Sequence, residues 1–181
     1  MTQTNKLVTN PKCTFIHYLK QLLQMLERIK TQQQGREDIL QARLHADMLP
    51  FIQQVRTAAN FALRACCPLA GLAVVSFENK QSTWQGLTLH IQQTIDYLQQ
   101  IDDDAFQYND SVLLTEQAGF STVSLAPGEF LMLYTLPNFF FHLSMVYAIA
   151  RQQGIAISKG DFDGFHGYPA GFSFESDLQA K

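Results

Sequence analysis

Residues 129–151 read EFLMLYTLPNFFFHLSMVYAIAR, with no charge between Glu129 and Arg151. So long an apolar run leaves two kinds of structure, a bilayer-crossing helix or the central helix of a bundle. The residues inside it favour the bundle. Thr135, Pro137, Asn138, His142 and Ser144 interrupt the run, and no basic cluster flanks it. The rest of the chain also offers three amphipathic stripes that need an apolar surface to cover them. No membrane association is therefore expected. Asn138 and His142 are helix neighbours at i and i+4. Together with Tyr134, one turn earlier, they mark a candidate pocket.

The three stripes are read from spacing. Phe15, Leu19, Leu22, Leu26 and Ile29 recur at steps of four and three, which predicts a helix over 11–33. Asn10 and Pro11 suit its start, and Gly35 its end. Met48, Ile52, Val55, Ala59, Ala62 and Cys66 predict a second helix over 48–66, capped by Asp47 and stopped by Pro68 and Gly71. Trp84, Leu87, Ile91, Ile95, Leu98 and Ile101 give a third, opened by a capping box of Ser82 and Gln85. Its polar face carries His90, Gln92, Gln93, Asp96 and Gln99. Asp102, Asp103 and Asp104 then read as a solvated turn, without the spaced ligands of a calcium loop.

The segments 112–115 and 120–125 flank Ala118-Gly119 and predict a short hairpin. Pro127 opens the fourth helix, Pro137 predicts a kink near 133–136, and Gly154 suits its end. The tail beyond is rich in glycine and aromatic residues and has no helical period. It is expected to lie extended on its own bundle or on a partner subunit, with Lys159 and Asp161 as anchors.

The 181 residues fit one domain spanning 1–181, with its core at about 11–164. The fold class is all-α, a four-helix bundle with a hairpin before the fourth helix. Extended chain covers about 3.3 Å per residue, so the connector 67–81 is long enough to return along a helix of about 27 Å. That allows the second and third helices to lie parallel. The net charge is −3 and the cations are scattered, which argues against nucleic-acid binding. Cys13, Cys66 and Cys67 offer neither a disulfide framework nor zinc spacing and read as buried thiols. No apolar signal segment opens the chain, so a reducing cytoplasm is expected.

Three segments go further: QARLHADMLPFIQQVRTAANFA, LHIQQTIDYL and LPNFFFHLSMVYAIARQQGIAISKGDFDG. They resemble a family of uncharacterised bacterial and fungal proteins in the DinB/YfiT-like metalloenzyme superfamily. The resemblance covers about residues 12–164 and is most specific over 136–164. It implies an up-down-down-up bundle, frequent homodimers, and a metal held by one helix-2 histidine and a helix-4 His-x3-His pair. In this chain that pair reads Asn138-x3-His142, and Gln54 is the nearest helix-2 counterpart. A nickel, zinc or manganese ion would thus meet His142 with two amides, which are poorer ligands than imidazole. His45 lies before the second helix and is expected outside the core.

His142 keeps three readings: a hydrogen-bonded core histidine, a wall of a small-molecule pocket, or a metal ligand. Arg43 and Asp47 are expected to pair or to gate the bundle mouth. His17, His90 and His166 read as structural or solvated. Three functions follow. One is a metal-free small-molecule-binding protein or cryptic enzyme, its pocket lined by Gln54, Tyr134, Asn138 and His142. Another is a metal-dependent transferase or hydrolase acting on a thiol cofactor. The last is a non-catalytic oligomeric module, with helix 4 or the tail buried between two copies. No catalytic residue is assigned.

Overall fold

The computed structural model describes residues 10–109, 111–169 and 172–173. Its elements are α1 (Lys12–Gln32), α2 (Phe51–Leu69), α3 (Trp84–Gln100), β1 (Leu114–Ala118), β2 (Ser121–Leu125), α4 (Pro127–Gln152) and α5 (Lys159–Asp163). α1 buries the expected stripe from Phe15 to Ile29, with Met25 beside it. α3 buries Trp84, Leu87, Ile91, Ile95 and Leu98. α2 is covered over a wider arc, where Ala58, Ala59, Ala62 and Ala65 let neighbouring helices approach closely. α4 contributes Phe139, Leu143, Val146 and Ile149 to the same core. Burying a ring such as Phe15, Phe51 or Phe139 stabilises the fold by about 1.5–3 kcal/mol each before entropy is counted.

Cross-helix contacts give the directions. Phe51 meets Trp84 and Asn60 meets His90, so α2 and α3 run parallel. Trp84 reaches Arg36 beyond the end of α1, while Lys12 at its start reaches Ile101 beyond the end of α3. These two helices are antiparallel. Phe15 meets Phe139 and Gln32 meets Ala156, which makes α1 and α4 parallel. Gln54 meets His142 and Arg64 meets Tyr134, so α2 and α4 are antiparallel. The bundle is therefore up-down-down-up, and the connector after α2 runs back along it.

Local chemistry moves several boundaries from their predicted places. Pro50 is extended (φ −70°, ψ 161°), so α2 starts after it rather than at Met48. Asp47 then caps nothing. It bonds His45, and Arg43 donates to the Met48 carbonyl instead of pairing with Asp47. α2 also continues through Pro68 to Leu69, because a missing N–H costs only one bond in a last turn. Thr83, not Ser82, caps α3, its Oγ1 accepting from the Gly86 N–H at 3.1 Å. Gly86 itself is required, since a Cβ there would lie 2.6 Å from the Gln81 carbonyl oxygen.

The acidic turn is not merely solvated, for Asp103 pairs with Lys12 at 2.6 Å. The tail holds one helical turn, α5, too short for its period to show in sequence. Ser158 and Asp161 form its capping box. Asp161 anchors it to Arg28 of α1 at 2.6 Å, whereas Lys159 makes no ion pair among the described residues.

The hairpin forms as expected. Leu114 pairs with Leu125 and Ala118 with Ser121, and Gly119 turns at φ +61°. The expected irregularity in α4 is a π-helical turn over Phe130–Thr135, just before Pro137. Side chains satisfy the carbonyls of this stretch. Thr135 Oγ1 donates to Phe130 O at 3.2 Å, and Asn138 Nδ2 donates to Tyr134 O at 2.7 Å.

Candidate functional site

α2 lies between α3 and α4, so its two flanks each carry a polar residue into a helix seam. On the α4 side, Gln54 is buried and spends its amide nitrogen on Leu49 O at 3.3 Å. Its Oε1 therefore accepts, and His142 Nδ1 donates to it at 2.7 Å. This assignment puts the imidazole proton on Nδ1 and leaves the Nε2 lone pair uncommitted. Among the described residues Nε2 has no partner, and it is not fully sealed, in a residue 9% exposed. The ring stacks on Phe61 at 5.6 Å and 19°, with Phe141 edge-on at 5.2 Å. Burial first, then the Arg64 charge, pushes the His142 pKa down to about 4. The imidazole is neutral at pH 7.

Phe61 is the hub of the seam. Tyr134 meets it at 6.0 Å, and the Arg64 guanidinium carbon lies 4.1 Å from its ring centre. Arg64 also bonds the Glu116 carboxylate of β1 and donates to the Tyr134 hydroxyl at 2.9 Å. The hairpin is thereby tied to α2 and α4. The second Glu116 oxygen is buried without a partner. Burial raises the Tyr134 pKa despite the Arg64 charge.

Of the residues singled out in sequence, Gln54, Tyr134 and His142 converge around Phe61. Asn138 turns its amide nitrogen back onto its own helix. Phe61, Arg64 and Glu116 were missed. Phe61 falls off the regular α2 stripe, Arg64 reads as a surface cation, and Glu116 arrives from a distant hairpin. His90 also departs from expectation. It is 1% exposed, wedged between α2 and α3 rather than on a polar face. His17 bonds the Asp163 carbonyl at 2.8 Å, and His166 bonds the Asp163 carboxylate.

A bundle of this topology, with hairpin and π turn, has recognisable relatives. The family model described as a domain of unknown function, DUF1993, matches residues 12–163. The chain belongs to the DUF1993 family. Among solved structures, a DinB family member protein from Shewanella denitrificans is 23% identical, with a TM-score of 0.76. The match covers 92% of this chain and 96% of that one. At that identity the likeness concerns the DinB-like fold. No curated protein matches the sequence.

The DUF1993 chain does not supply the donors of a three-imidazole metal site. Among the described residues, no three His, Cys, Asp or Glu side chains are placed to hold an ion together. Gln54 Oε1 is taken by the His142 N–H, and the Asn138 amide nitrogen by Tyr134 O. One imidazole nitrogen remains, which does not fit nickel, zinc or manganese bound by three histidines. Cys13 is exposed rather than buried as expected, and the buried thiols add nothing, because burial raises the pKa of both Cys66 and Cys67 and keeps them protonated.

Proposed function

We propose that this DUF1993 protein is a metal-independent binding protein whose ligand docks over His142, on the seam between α2 and α4. The observation that carries the reading is the fixed tautomer. Gln54 holds the Nδ1 proton, so Nε2 offers a lone pair beside an aromatic wall. A neutral imidazole with a pKa near 4 accepts a hydrogen bond but is a weak base at pH 7. The site is thus built for recognition rather than proton abstraction. Tyr134 accepts from Arg64 and keeps its own proton to donate. Arg64 and Glu116 neutralise each other, so the favoured ligand is a small uncharged molecule with an N–H or O–H group and an apolar body. The same reading takes the protein as cytoplasmic, supported by three free cysteines.

The test is a screen of neutral heteroaromatic fragments, read by the 15N shift of His142 Nε2. Hits should move Nε2, and His142→Ala should abolish their binding while the fold persists. If no fragment moves Nε2 and His142→Ala unfolds the protein, His142 is a packing residue and the reading ends. The metal-dependent transferase or hydrolase lacks a donor set to support it. Untagged protein is expected to show no thermal shift with nickel, zinc or manganese.

A second reading rests on a separate observation. Leu133 and Phe141, about two turns apart on one side of α4, are 68% and 52% exposed. By length and composition α4 also meets the requirement for crossing a bilayer. A second copy packed on this strip would remove it from water and make a homodimer. Light scattering should then give twice the monomer mass, and a strictly monomeric mass would sink the dimer.

A further inference from the structure

A cleft of about 350 Å³ opens between α4 and α5, lined by Ser144, Tyr147, Lys159 and Phe162. Ser144 lies two residues beyond His142, about 200° around the helix, so the cleft is on a different face of α4 from the His142 seam. Its size falls at the lower end of small-ligand sites. Two rings, Tyr147 and Phe162, line it, and Tyr18 and Phe140 back Phe162. Tyr147 meets Phe162 edge-on at 6.2 Å, Phe162 meets Tyr18 at 5.8 Å, and Tyr18 meets Phe140 at 4.8 Å.

The polar groups at this cleft are uncommitted. Among the described residues, the Ser144 hydroxyl, the Tyr147 hydroxyl and the Lys159 ammonium have no hydrogen-bond or ion-pair partner. The nearby acid that might neutralise Lys159 is occupied: Asp161 is held by Arg28 and by the Ser158 N–H. One free cation and two free hydroxyls beside an aromatic wall are complementary to a single carboxylate on an aromatic body. The ammonium pairs with the carboxylate, the hydroxyls donate to it, and the ligand ring packs edge-on against Phe162. A cationic ligand would meet Lys159 unfavourably, and a multiply charged anion would find only one positive partner.

We propose that the cleft between α4 and α5 binds a small aryl carboxylate. The probe is 3-phenylpropionate, titrated into the full chain and followed by amide chemical shifts, with the uncharged 3-phenylpropanol as comparator. The expected result is saturable shifts around residues 144, 147, 159 and 162. The acid should bind more tightly than the alcohol. Lys159→Gln should weaken the acid by up to about fivefold, as for an exposed ion pair, and leave the alcohol unchanged. Tyr147→Phe, which keeps the ring, should weaken the acid by a smaller factor. Equal affinity of the unaltered protein for acid and alcohol would overturn the proposal without any variant. So would an unchanged acid titration in Lys159→Gln, a lack of saturable shifts, or shifts confined to the His142 seam.

Discussion

Two histidines flank α2, each meeting an amide from that helix, and their difference separates a candidate site from a structural one. His142 of α4 donates through Nδ1 to Gln54 at 2.7 Å. His90 of α3 meets Asn60 Oδ1 through Nε2 at 3.1 Å. Burial lowers both pKa values, so both rings are neutral. The remaining nitrogen makes the distinction. In His142 it is Nε2, not fully sealed, beside Phe61 and Phe141, whereas in His90 it is Nδ1, buried with no partner. A buried histidine is therefore not a site by virtue of burial. What matters is which nitrogen the fold leaves open, and to what.

The largest effect expected in this comparison comes from the hub of the α4 seam. Phe61→Ala should cost about 3–5 kcal/mol in denaturant unfolding, because the ring carries His142, Tyr134 and Arg64 together. A cost below about 1 kcal/mol would show that the seam does not depend on it.

Acid should come next. The folded His142 pKa of about 4 lies below the ordinary value near 6.5, so between these pH values the unfolded chain binds more protons. Stability is then complete above about pH 6.5 and falls on the order of 2–3 kcal/mol as pH drops towards 4. His90, also shifted down, acts in the same direction. His142→Gln should flatten the profile; an unaltered profile would assign the loss to other groups.

Gln54→Met removes the acceptor from the His142 N–H and should cost about 1–2 kcal/mol. It should also free the tautomer, visible as a changed pair of His142 15N shifts. If those shifts stay as in the parent protein, Gln54 does not set the proton position. The smallest effect belongs to the other flank. His90→Leu removes a buried nitrogen that has no partner, and should change stability by less than about 1 kcal/mol. A loss above about 2 kcal/mol would mean that the His90 bond to Asn60 matters as much as that of His142 to Gln54.

Much of the fold was legible because it is encoded locally. The α1 stripe from Phe15 to Ile29, the hairpin about Gly119 and the disturbance before Pro137 follow from period, turn chemistry and a missing N–H. The errors occurred where neighbouring residues compete for one role. Thr83 rather than Ser82 caps α3, and Pro50 rather than Asp47 sets the start of α2. The candidate site was legible only in part. Its histidine and its Gln54 counterpart stood out, but Phe61 lay off the stripe and Glu116 gave no sign of reaching Arg64.

By itself the sequence determined four helices, their apolar faces, a connector long enough to return along the bundle, and a fourth helix with no charge between Glu129 and Arg151 and one histidine. Only the tertiary structure decided that Gln54 accepts the His142 N–H, and that Arg64 meets Glu116 across 52 residues. The reason is rotational. α2 is buried over so wide an arc that its period does not say which flank faces α4. Once packing set that angle, an amide met the His142 N–H, fixed its proton on Nδ1 and left Nε2 not fully sealed.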